Sequence, residues 1–426
     1  MGSANRARRS ALLGGLCLFM SASVYSLSLA QAISIAQAND PWLHGSQLRE
    51  SALAAEAISA STLPDPVLNL GAANLPADSF DFRQEGMTHA SIGISQRLPR
   101  GNSRAFIAEQ KRQLGQQQPL LRADRKSKVA ATVSQLWLEG YRAEQSISLI
   151  ADNRRLFQQL LALSRNNYGA GLAHAGQQNI IAAELALSRL DDRVLMLKQQ
   201  RDSARDQLSE WLGTTQIIEF GGDIFPKPST RNISDSRATT ALQVHPAILA
   251  IEQTIAAAQS DVALRQEQYK AEWAINANYA YRAEDPLDND RADLFSVGLS
   301  VDLPLFTAKR QDQNLIAAQA RAEANRTDKA LLLRKMMANL KAQLSQLQRI
   351  DERLTLYKSR LLREAGEQVI ASLNAYQNDK GDFKEVIQAR IYALNAEIDA
   401  LNLRVDRRKI IATIDYLLVG DRHEQQ

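Results

Sequence analysis

The 426-residue sequence contains only one cysteine, Cys17, which lies within an apolar run near the N-terminus. Three arginines precede this run and small residues follow it, as they do in a secretory signal peptide. A lipoprotein signal would place a small residue before the cysteine, whereas Leu16 is large. We therefore expect residues 1–26 to be a signal peptide cleaved between Ala22 and Ser26, with Ala-Gln-Ala at 30–32 as a competing site. The mature envelope protein would have no disulfides.

A strong charge imbalance and enzymatic motifs are also missing. The formal net charge of +4 falls to +1 when the three N-terminal arginines are removed, so a nucleic-acid-binding surface has no support. The five histidines are scattered, and the chain contains no paired-cysteine or H-x-x-x-H spacing, phosphate-binding glycine loop or G-x-S-x-G. The sequence therefore predicts a protein that is not an enzyme and binds no cofactor or metal ion.

Proline is absent from two long spans, 120–225 and 305–426, and both have the apolar spacing of long helices. Apolar or small residues recur three and four apart over many turns, which is typical of coiled-coil packing. In the first span they are Val133, Leu136, Gly140, Ala143, Ile147, Ile150, Arg154, Phe157, Leu161 and Ser164; in the second, Leu340, Leu344, Leu347, Leu354, Leu361 and Ala365. We expect Gly115 and Pro119 to kink or break the first long helix.

The two halves of the sequence resemble each other. "SIGISQRLP" at 91–99 matches "SVGLSVDLP" at 296–304, and "LSEWLG" at 208–213 matches "DYLLVG" at 415–420. Each half has the predicted order helix, strand, loop, strand, long helix, turn and helix, with the first helix at about 27–62. We predict a first repeat at 27–213, a linker at 214–240, a second repeat at 241–420 and a tail at 421–426.

Four segments alternate with period two: 66–74, 89–98, 273–282 and 294–303. In "WAINANYAYR" at 273–282, aromatic and aliphatic residues share one face, while two asparagines share the other. Each segment is nine or ten residues long, which is the length of a membrane-spanning strand. In that case five polar residues would line a water-filled lumen: Asn276, Asn278, Ser296, Ser300 and Asp302.

An amphipathic sheet of this kind more often packs on the helices of a soluble domain. Here, however, the predicted helices are far longer than the strands, and the acidic loop at 283–293 and its counterpart at 75–88 suit exposed tips. A bilayer admits only helices and closed barrels, and four strands cannot close alone. We therefore expect several copies of the chain to pool their strands, although spacing alone does not determine how many.

Together these features resemble the TolC family of outer-membrane channel proteins over essentially the whole mature chain. The resemblance rests on "LSLAQAISIAQANDPWL" at 27–43, "LPDPVLNLG" at 63–71, "SQRLPRGNSR" at 95–104, "VDLPLF" at 301–306 and the internal repeat. The heavy-metal branch, with CzcC- and CusC-like proteins, is the most similar part of the family.

The resemblance implies a mainly α fold with a β-barrel contribution. Three identical chains would form an outer-membrane barrel of twelve strands, four from each chain, continued by a twelve-helix periplasmic tunnel. The expected partners are the other copies, outer-membrane lipid, a periplasmic adaptor protein and an inner-membrane pump of the resistance–nodulation–division class.

In this family the tips of the helical hairpins meet the adaptor through a glycine turn. The matching residues are Ala170, Gly171 and Leu172 at the first tip and Gly381 at the second. Tyr168 and Tyr376 precede these turns, and we expect them to pack near the closed end of the tunnel. Ordinary interhelical turns would explain the glycines equally well.

Several family members have inward carboxylates near the tips that form a cation-sensitive constriction. Glu385 falls where the family often has aspartate, Gln388 occupies a second such place, and Gln177 is the equivalent at the first tip. The second tip departs from the family pattern by two additional residues between tyrosine and glycine. A ring of Glu385 carboxylates would attract cations, whereas the alternative is an ordinary solvated side chain.

The expected function is therefore a passive export duct in a tripartite efflux system, with heavy-metal cations as the expected cargo. An outer-membrane duct for drugs, other organic compounds or type I protein secretion is an alternative. A periplasmic coiled-coil scaffold or adaptor without a pore is a second alternative. A secreted hydrolase is disfavoured because the chain has no catalytic motif.

Overall fold

The computed structural model describes residues 25–26, 28–170, 176–213, 218–220, 235–378 and 380–419. Most of the predicted signal peptide lies outside these residues, as do Gly171 and Leu172 of the first tip, much of the predicted linker and the C-terminal tail. The fold is 73% helical with a small antiparallel sheet.

Within the described residues, the helices fall into two groups separated by the predicted linker. The first group is α1 (Leu29–Asn39), α2 (Pro41–Ser61), α3 (Ser103–Gly169) and α4 (Gln177–Leu212). The second group is α5 (Asp235–Gln243), α6 (Pro246–Glu267), α7 (Gln311–Leu356), α8 (Leu362–Gln377) and α9 (Phe383–Leu417). A two-residue strand, Tyr25–Ser26, pairs in parallel with Ile218–Glu219.

The longest helix, α3, has 67 residues and therefore extends roughly 100 Å. Of the kink or break predicted at Gly115 and Pro119, the break is wrong, because α3 continues through Pro119 without interruption. The kink stays a prediction. Proline removes one backbone hydrogen bond. The residues just before Pro119 contact the neighbouring helices through their side chains. The Gln117 side chain donates to the Thr254 hydroxyl of α6 at 2.7 Å, and Ser46 of α2 donates to the Gln118 side chain at 3.0 Å.

The predicted helix at 27–62 is two helices, which is a second correction. Asp40 separates them, because its carboxylate accepts the Trp42 N–H at 3.0 Å and caps α2. Pro41 then occupies the first position of α2, where its missing N–H costs nothing. At the other end of the first half, α5 begins at Asp235, so the C-terminal part of the predicted linker is helical.

A π-helical turn, Tyr357–Leu361, connects α7 to α8. The Leu362 N–H donates to the Tyr357 carbonyl five residues earlier, so this turn contains one more residue than an α-helical turn. Buried positions follow a seven-residue spacing at Leu340 and Leu347 and again at Val369 and Tyr376. The extra residue accommodates the change of register between these two stretches.

Four antiparallel strands form the sheet: β1 (Val67–Ala73), β2 (His89–Leu98), β3 (Glu272–Tyr281) and β4 (Leu294–Asp302). Their spatial order is β1-β2-β3-β4. The central pair joins the two halves of the sequence, with Leu98 opposite Trp273 and Ile92 opposite Tyr279. β1 and β4 are therefore the edge strands.

The helices continue the sheet as a wall that is one element thick. Next to the sheet, the helices lie in the order α2-α3-α6-α7, and towards the hairpin tips in the order α4-α3-α9-α8. The wall therefore has two free sides, formed by β1, α2 and α4 on one and by β4, α7 and α8 on the other. Among the described residues, no helix is long and apolar enough to cross a membrane.

Three apolar clusters stabilise the helical wall. The cluster nearest α1 centres on Trp137 of α3, which stacks on Tyr141 at 5.5 Å between ring centroids and meets the edge of Phe220 at 5.9 Å. Gly140 is required there, because a Cβ atom would lie 2.1 Å from the Phe220 ring. The second cluster follows α3, α4 and α9 towards the tips, and the third joins α5, α6, α7 and α9.

Candidate functional site: the sheet and the hairpin tips

One face of the sheet is apolar and uncovered. Cross-strand pairing places β2, β3 and β4 side chains beside one another on this face: Tyr279 lies between Ile92 and Phe295, and Trp273 lies between Leu98 and Val301. Leu70 exposes 73% of its surface and Phe295 exposes 70%. The other exposed members of this face are Leu68, Ile92, Ile94, Trp273, Ile275, Tyr279, Tyr281, Val297, Leu299 and Val301.

The opposite face carries a ladder of small polar side chains that crosses three strands. The Ser95 hydroxyl donates to the Asn276 side-chain oxygen at 2.5 Å, and the Asn276 amide donates to the Ser300 hydroxyl at 3.1 Å. Asn278 pairs with Ser296 on β4 and with Gly93 on β2. A Cβ atom at Gly93 would lie 2.8 Å from the Asn278 oxygen, so glycine makes room for this amide.

Asp302, the fifth residue predicted to line the lumen, lies at the base of the sheet in an ion pair with Arg100. Arg100 also donates to the carbonyl of Lys270 at 2.8 Å, which connects the strand bases to the end of α6. Arg100 is well covered, and Asp302 is exposed. Asp302 therefore faces the polar side with its charge already compensated.

A second contact at this base depends on glycine. The Glu267 carboxylate accepts the Asn102 N–H at 2.7 Å and is nearly buried. Its hydrogen bond from Lys270 lowers the pKa of Glu267. Gly101 has a left-handed φ of +44°, and a Cβ atom there would lie 1.8 Å from the Glu267 carboxylate. The turn that starts α3 therefore requires glycine for both its backbone and its packing.

Arginines connect the two loops at the opposite end of the sheet. Arg83 donates to the Asp285 carbonyl at 2.8 Å and pairs with Asp288, and Arg291 donates to the Glu85 carbonyl at 3.0 Å. The Asp285 carboxylate accepts hydrogen bonds from Asn289, which lower the pKa of Asp285. The two acidic loops are therefore held together as one unit.

At the other end of the wall, the second hairpin tip is a tight turn. Tyr376 is 8% exposed, and its ring lies 5.4 Å from that of Phe383 at the start of α9. Asn167 of α3 donates to the Tyr376 hydroxyl at 3.3 Å. A Cβ atom at Gly381 would lie 2.9 Å from the Ala375 side chain, so this turn needs glycine for close packing.

The first tip is described only in part. Ala170 ends α3 and is exposed. Tyr168 is 52% exposed, so it does not pack within the chain as Tyr376 does. Tyr168 follows Phe157 and Ser164 on the same face of α3, but Ser164 is the last buried residue of this seam, so Tyr168 lies beyond its end.

The candidate constriction residues are all exposed and lie near the tips. Gln177 is the first residue of α4, and Glu385 is in the first turn of α9. Gln388 is one turn further along α9 on the same exposed side, opposite the buried Val386 and Ile387. Within one chain these three side chains do not form a closed site.

The described residues contain no group of three or more histidine, cysteine, aspartate or glutamate side chains that could hold a metal ion. Other features distinguish this molecule. Its distinguishing features are the uncovered apolar face, the polar face behind it and the two free sides of the wall.

Solved structures provide the decisive comparison. CusC, studied for folding and transmembrane channel formation, is 15% identical, with 92% of this chain and 91% of CusC covered at a TM-score of 0.74. The outer-membrane channel OprN is 17% identical, with coverages of 92% and 90% and a TM-score of 0.78. VceC, an outer-membrane protein of Vibrio cholerae, is 14% identical, with coverages of 92% and 95% and a TM-score of 0.75.

The chain has the TolC channel fold. The resemblance seen in the sequence is thereby confirmed at the level of fold. No protein-family model matches the chain, and no curated protein sequence does either. The structures with the TolC fold that it resembles are channel proteins rather than enzymes.

The contacts at the base of the sheet were missed by sequence reasoning. The motif "SQRLPRGNSR" contains Arg100 and Gly101, and its position just after a strand was the available signal. Their partners Lys270, Glu267 and Asp302 lie in the other half of the chain, so no local pattern connects them. The TolC fold brings the two halves together here through the β2–β3 pairing.

Proposed function

We propose that the chain is one subunit of an outer-membrane channel, and that several copies complete a single export duct. The observation that carries this proposal is the uncovered apolar face of a sheet whose two edge strands each have no outer partner among the residues that the structure describes. The likeness of the fold to outer-membrane channels supports it.

Lipid is the environment that best fits the apolar face. Aromatic and aliphatic side chains cover this face across all four strands, and soluble proteins rarely leave so large an apolar patch in water. The face behind it, with Asn276, Asn278, Ser296 and Ser300, suits water. An apolar face towards lipid and a polar face towards a lumen is the arrangement of membrane-spanning β-barrels.

Other copies of the chain are the partners that would complete the wall. Unpaired strand edges cannot stay open in lipid, because their N–H and C=O groups would lack hydrogen-bond partners. The helices on the two free sides also expose apolar residues, among them Leu48 and Ile181 on one side and Ile316 and Ile370 on the other. Contact between different sides of identical chains closes a ring. A homotrimer is the number of copies that the family resemblance implies.

The length of α3 is suited to a helical region that extends from the outer membrane into the periplasm. At roughly 100 Å, this helix extends the wall far beyond the sheet, which is suited to crossing the periplasm. The hairpin tips at Ala170, Gly171, Leu172 and Gly381 would then meet a periplasmic adaptor, and an inner-membrane pump would supply the driving force. Such partners follow from a tripartite efflux system.

Heavy-metal cations are the cargo we propose, and the exposed Glu385 is the residue that supports this best. Three copies would place three Glu385 carboxylates around a narrow opening, where like charges create a strong local potential for cations. Gln388 and Gln177 would border the same opening as neutral side chains. Export of drugs or other organic compounds and type I protein secretion remain alternatives, since the polar lumen does not select among them.

A periplasmic scaffold without a pore is the alternative from a different class, and the coiled-coil seam favours it. Two measurements separate it from a channel. The channel is expected to fractionate with the outer membrane as a heat-sensitive oligomer and to conduct ions in a planar bilayer. A scaffold would give a soluble periplasmic protein and no current, which would overturn the proposal.

Cargo is tested separately in a strain that lacks the gene. Sensitivity to zinc, cobalt or copper, with unchanged tolerance to organic drugs, would support cation export. Sensitivity to drugs alone would support the organic-efflux alternative and would leave the channel proposal intact.

A further inference from the structure

A groove of about 660 Å³ lies between α3, α9 and the π-helical turn, away from the sheet and the hairpin tips. Its apolar lining comes from Leu149, Leu354, Leu362 and Ala400. This volume is within the range of small-molecule sites, and the combination of an apolar lining with a few polar groups is typical of them.

The π-helical turn builds the apolar lining. In a continuous α-helix, residues eight apart such as Leu354 and Leu362 would be about 80° apart around the axis. The additional residue in the turn reduces this angle, so both leucines line the same groove. Tyr357, at the start of the turn, also lines the groove, and its hydroxyl lies 3.5 Å from the Asp399 carboxylate.

The rim of the groove is strongly cationic. Lys358, Arg404, Arg407 and Arg408 line it, against a single lining carboxylate, Glu397. Arg407 is paired with Asp351 of α7 at 2.6 Å. The Glu397 carboxylate accepts a hydrogen bond from Asn153 at 3.4 Å and lies on the exposed side. Positive charge therefore remains in excess around an apolar surface.

Arg408 is the most unusual of these cations. It is partly buried, and its Nε atom is buried without a hydrogen-bond partner. Burial lowers the pKa of Arg408; the nearby Asp415 carboxylate opposes this shift, and the neighbouring Arg407 adds to it. A buried donor without an acceptor is costly, and an anion beside the Arg408 guanidinium would stabilise its charged form.

We propose that this groove binds a free amphipathic carboxylate, with its apolar part against Leu354 and Leu362 and its acidic group near Lys358 and Arg408. The excess of positive charge selects an anion, and the apolar lining selects one with a hydrocarbon part. None of the groove's residues belongs to the sheet or to the candidate constriction, although Leu354 and Leu362 lie on α7 and α8, which form one free side of the wall.

The test uses the full chain in neutral maltoside micelles and a dansylated undecanoic acid whose fluorescence rises in apolar sites. Saturable binding that laurate displaces and that dodecanol does not displace is expected. Arg408→Gln and, separately, Lys358→Gln should each weaken binding about tenfold, which is the loss of one hydrogen bond to a charged group. Lys358 is exposed and has no ion-pair partner among the described residues, so its replacement should not disturb folding.

Arg349→Gln is the matched control. Arg349 lies on α7 near the same pair of helices but lines a different depression, beside Asp406 and Lys409. Its removal deletes one positive charge and should leave probe binding unchanged. Equal binding by the Arg408→Gln, Lys358→Gln and Arg349→Gln variants would overturn the proposal, as would equal displacement by dodecanol.

Two other occupants are distinguished in the same experiment. Displacement of the probe by vesicles of anionic phospholipid but not by laurate would assign the groove to a lipid surface and overturn the proposal. Lys358→Cys should react with a charged maleimide in both the monomer and the oligomer. Reaction only in the monomer, with no probe binding to the oligomer, would mean that a second copy covers the groove, which also overturns the proposal.

Discussion

The helical wall buries its regularly spaced apolar residues, whereas the sheet leaves its own exposed. Along α3, the seam residues Val133, Ile150 and Phe157 are fully buried by neighbouring helices. On β4, Phe295, Val297 and Leu299 alternate just as regularly, and all are exposed. The same chain therefore buries one set of apolar residues internally and leaves another for its surroundings. Under the proposed function, this contrast corresponds to two solvents, with water around the helices and hydrocarbon around the sheet.

The strongest test of this contrast places the same charge on two adjacent residues of β3. Ile275→Arg puts a cation on the apolar face, and Asn276→Arg puts one on the polar face. A lipid-facing arginine at mid-membrane costs roughly 2–4 kcal/mol in every copy. We expect Ile275→Arg to abolish outer-membrane fractionation and Asn276→Arg to retain it. Equal behaviour of the two variants would remove the distinction between the faces.

The next test addresses the packing of the helical wall. Phe157→Ala removes a fully buried ring from the seam of α3 and is expected to lower the free energy of unfolding by about 3–5 kcal/mol. Tyr392→Ala is the control, because Tyr392 is 66% exposed on α9, which lies in the middle of the wall. Thermal unfolding followed by helical circular dichroism measures both. A comparable loss for Tyr392→Ala would show that this side of the wall is covered in solution.

How far this organisation could be predicted depends on the range of the interactions. The alternation at 273–282 is local, and the observed strand β3, at 272–281, lies within one residue of it. The heptad spacing likewise located the long helices. The uninterrupted α3 could not be predicted, since α3 packs beside Pro119 on α6 through Gln117 and on α2 through Gln118, and these partners are distant in sequence.

The candidate sites divide in the same way. The side chains Asn276 and Ser300 could be assigned to one polar face from their spacing, and a hydrogen bond connects them. The pairing of Asp302 with Arg100 needed the fold, because the two residues are 202 positions apart. The roles of Glu385 and Gln388 depend on other copies, which a single chain does not contain.

The junction between the two regions provides a third test, at the start of α3. Gly101→Ala would force a side chain into a left-handed backbone and against the Glu267 carboxylate. We expect a loss of about 2 kcal/mol or more from the backbone and the contact together. Gly366→Ala in α8 meets no neighbouring atom and should stabilise by about 1 kcal/mol. The measurement is the midpoint of thermal unfolding, and a stable Gly101→Ala variant would contradict this account of the junction.

A smaller effect is expected at the tip of the helical region, where charge rather than packing is tested. Glu385→Gln should lower the ratio of cation to anion permeability in planar bilayers several-fold, because the carboxylates would no longer focus a negative potential. Gln388→Glu adds a carboxylate one turn away and should raise the ratio. An unchanged ratio in both variants would assign Glu385 to the solvated surface of α9.

The smallest expected effect concerns a buried histidine in the helical region. His245 is fully buried at the start of α6, where its Nδ1 accepts the Ala247 N–H at 3.1 Å and its Nε2–H donates to the Tyr416 carbonyl at 3.1 Å. The Nδ1 contact requires the neutral ring, because a protonated Nδ1 cannot accept a hydrogen bond. Burial lowers the pKa of His245 below its ordinary value of 6.5. Of the charged groups nearby, Asp124 favours protonation and Lys128 opposes it.

The sign of the pH dependence follows from this direction. Below about pH 6.5 the unfolded chain takes up a proton at this residue and the folded chain does not. The free energy of unfolding therefore decreases as the pH is lowered, by at most about 1.4 kcal/mol per pH unit. Above that pH the contribution is constant. His245→Asn keeps a capping oxygen for α6 without a titrating group, and should remove this part of the slope. An identical slope in the His245→Asn variant would assign the acid sensitivity to other groups, such as the hydrogen-bonded Asp285 carboxylate in the acidic loop at 283–293.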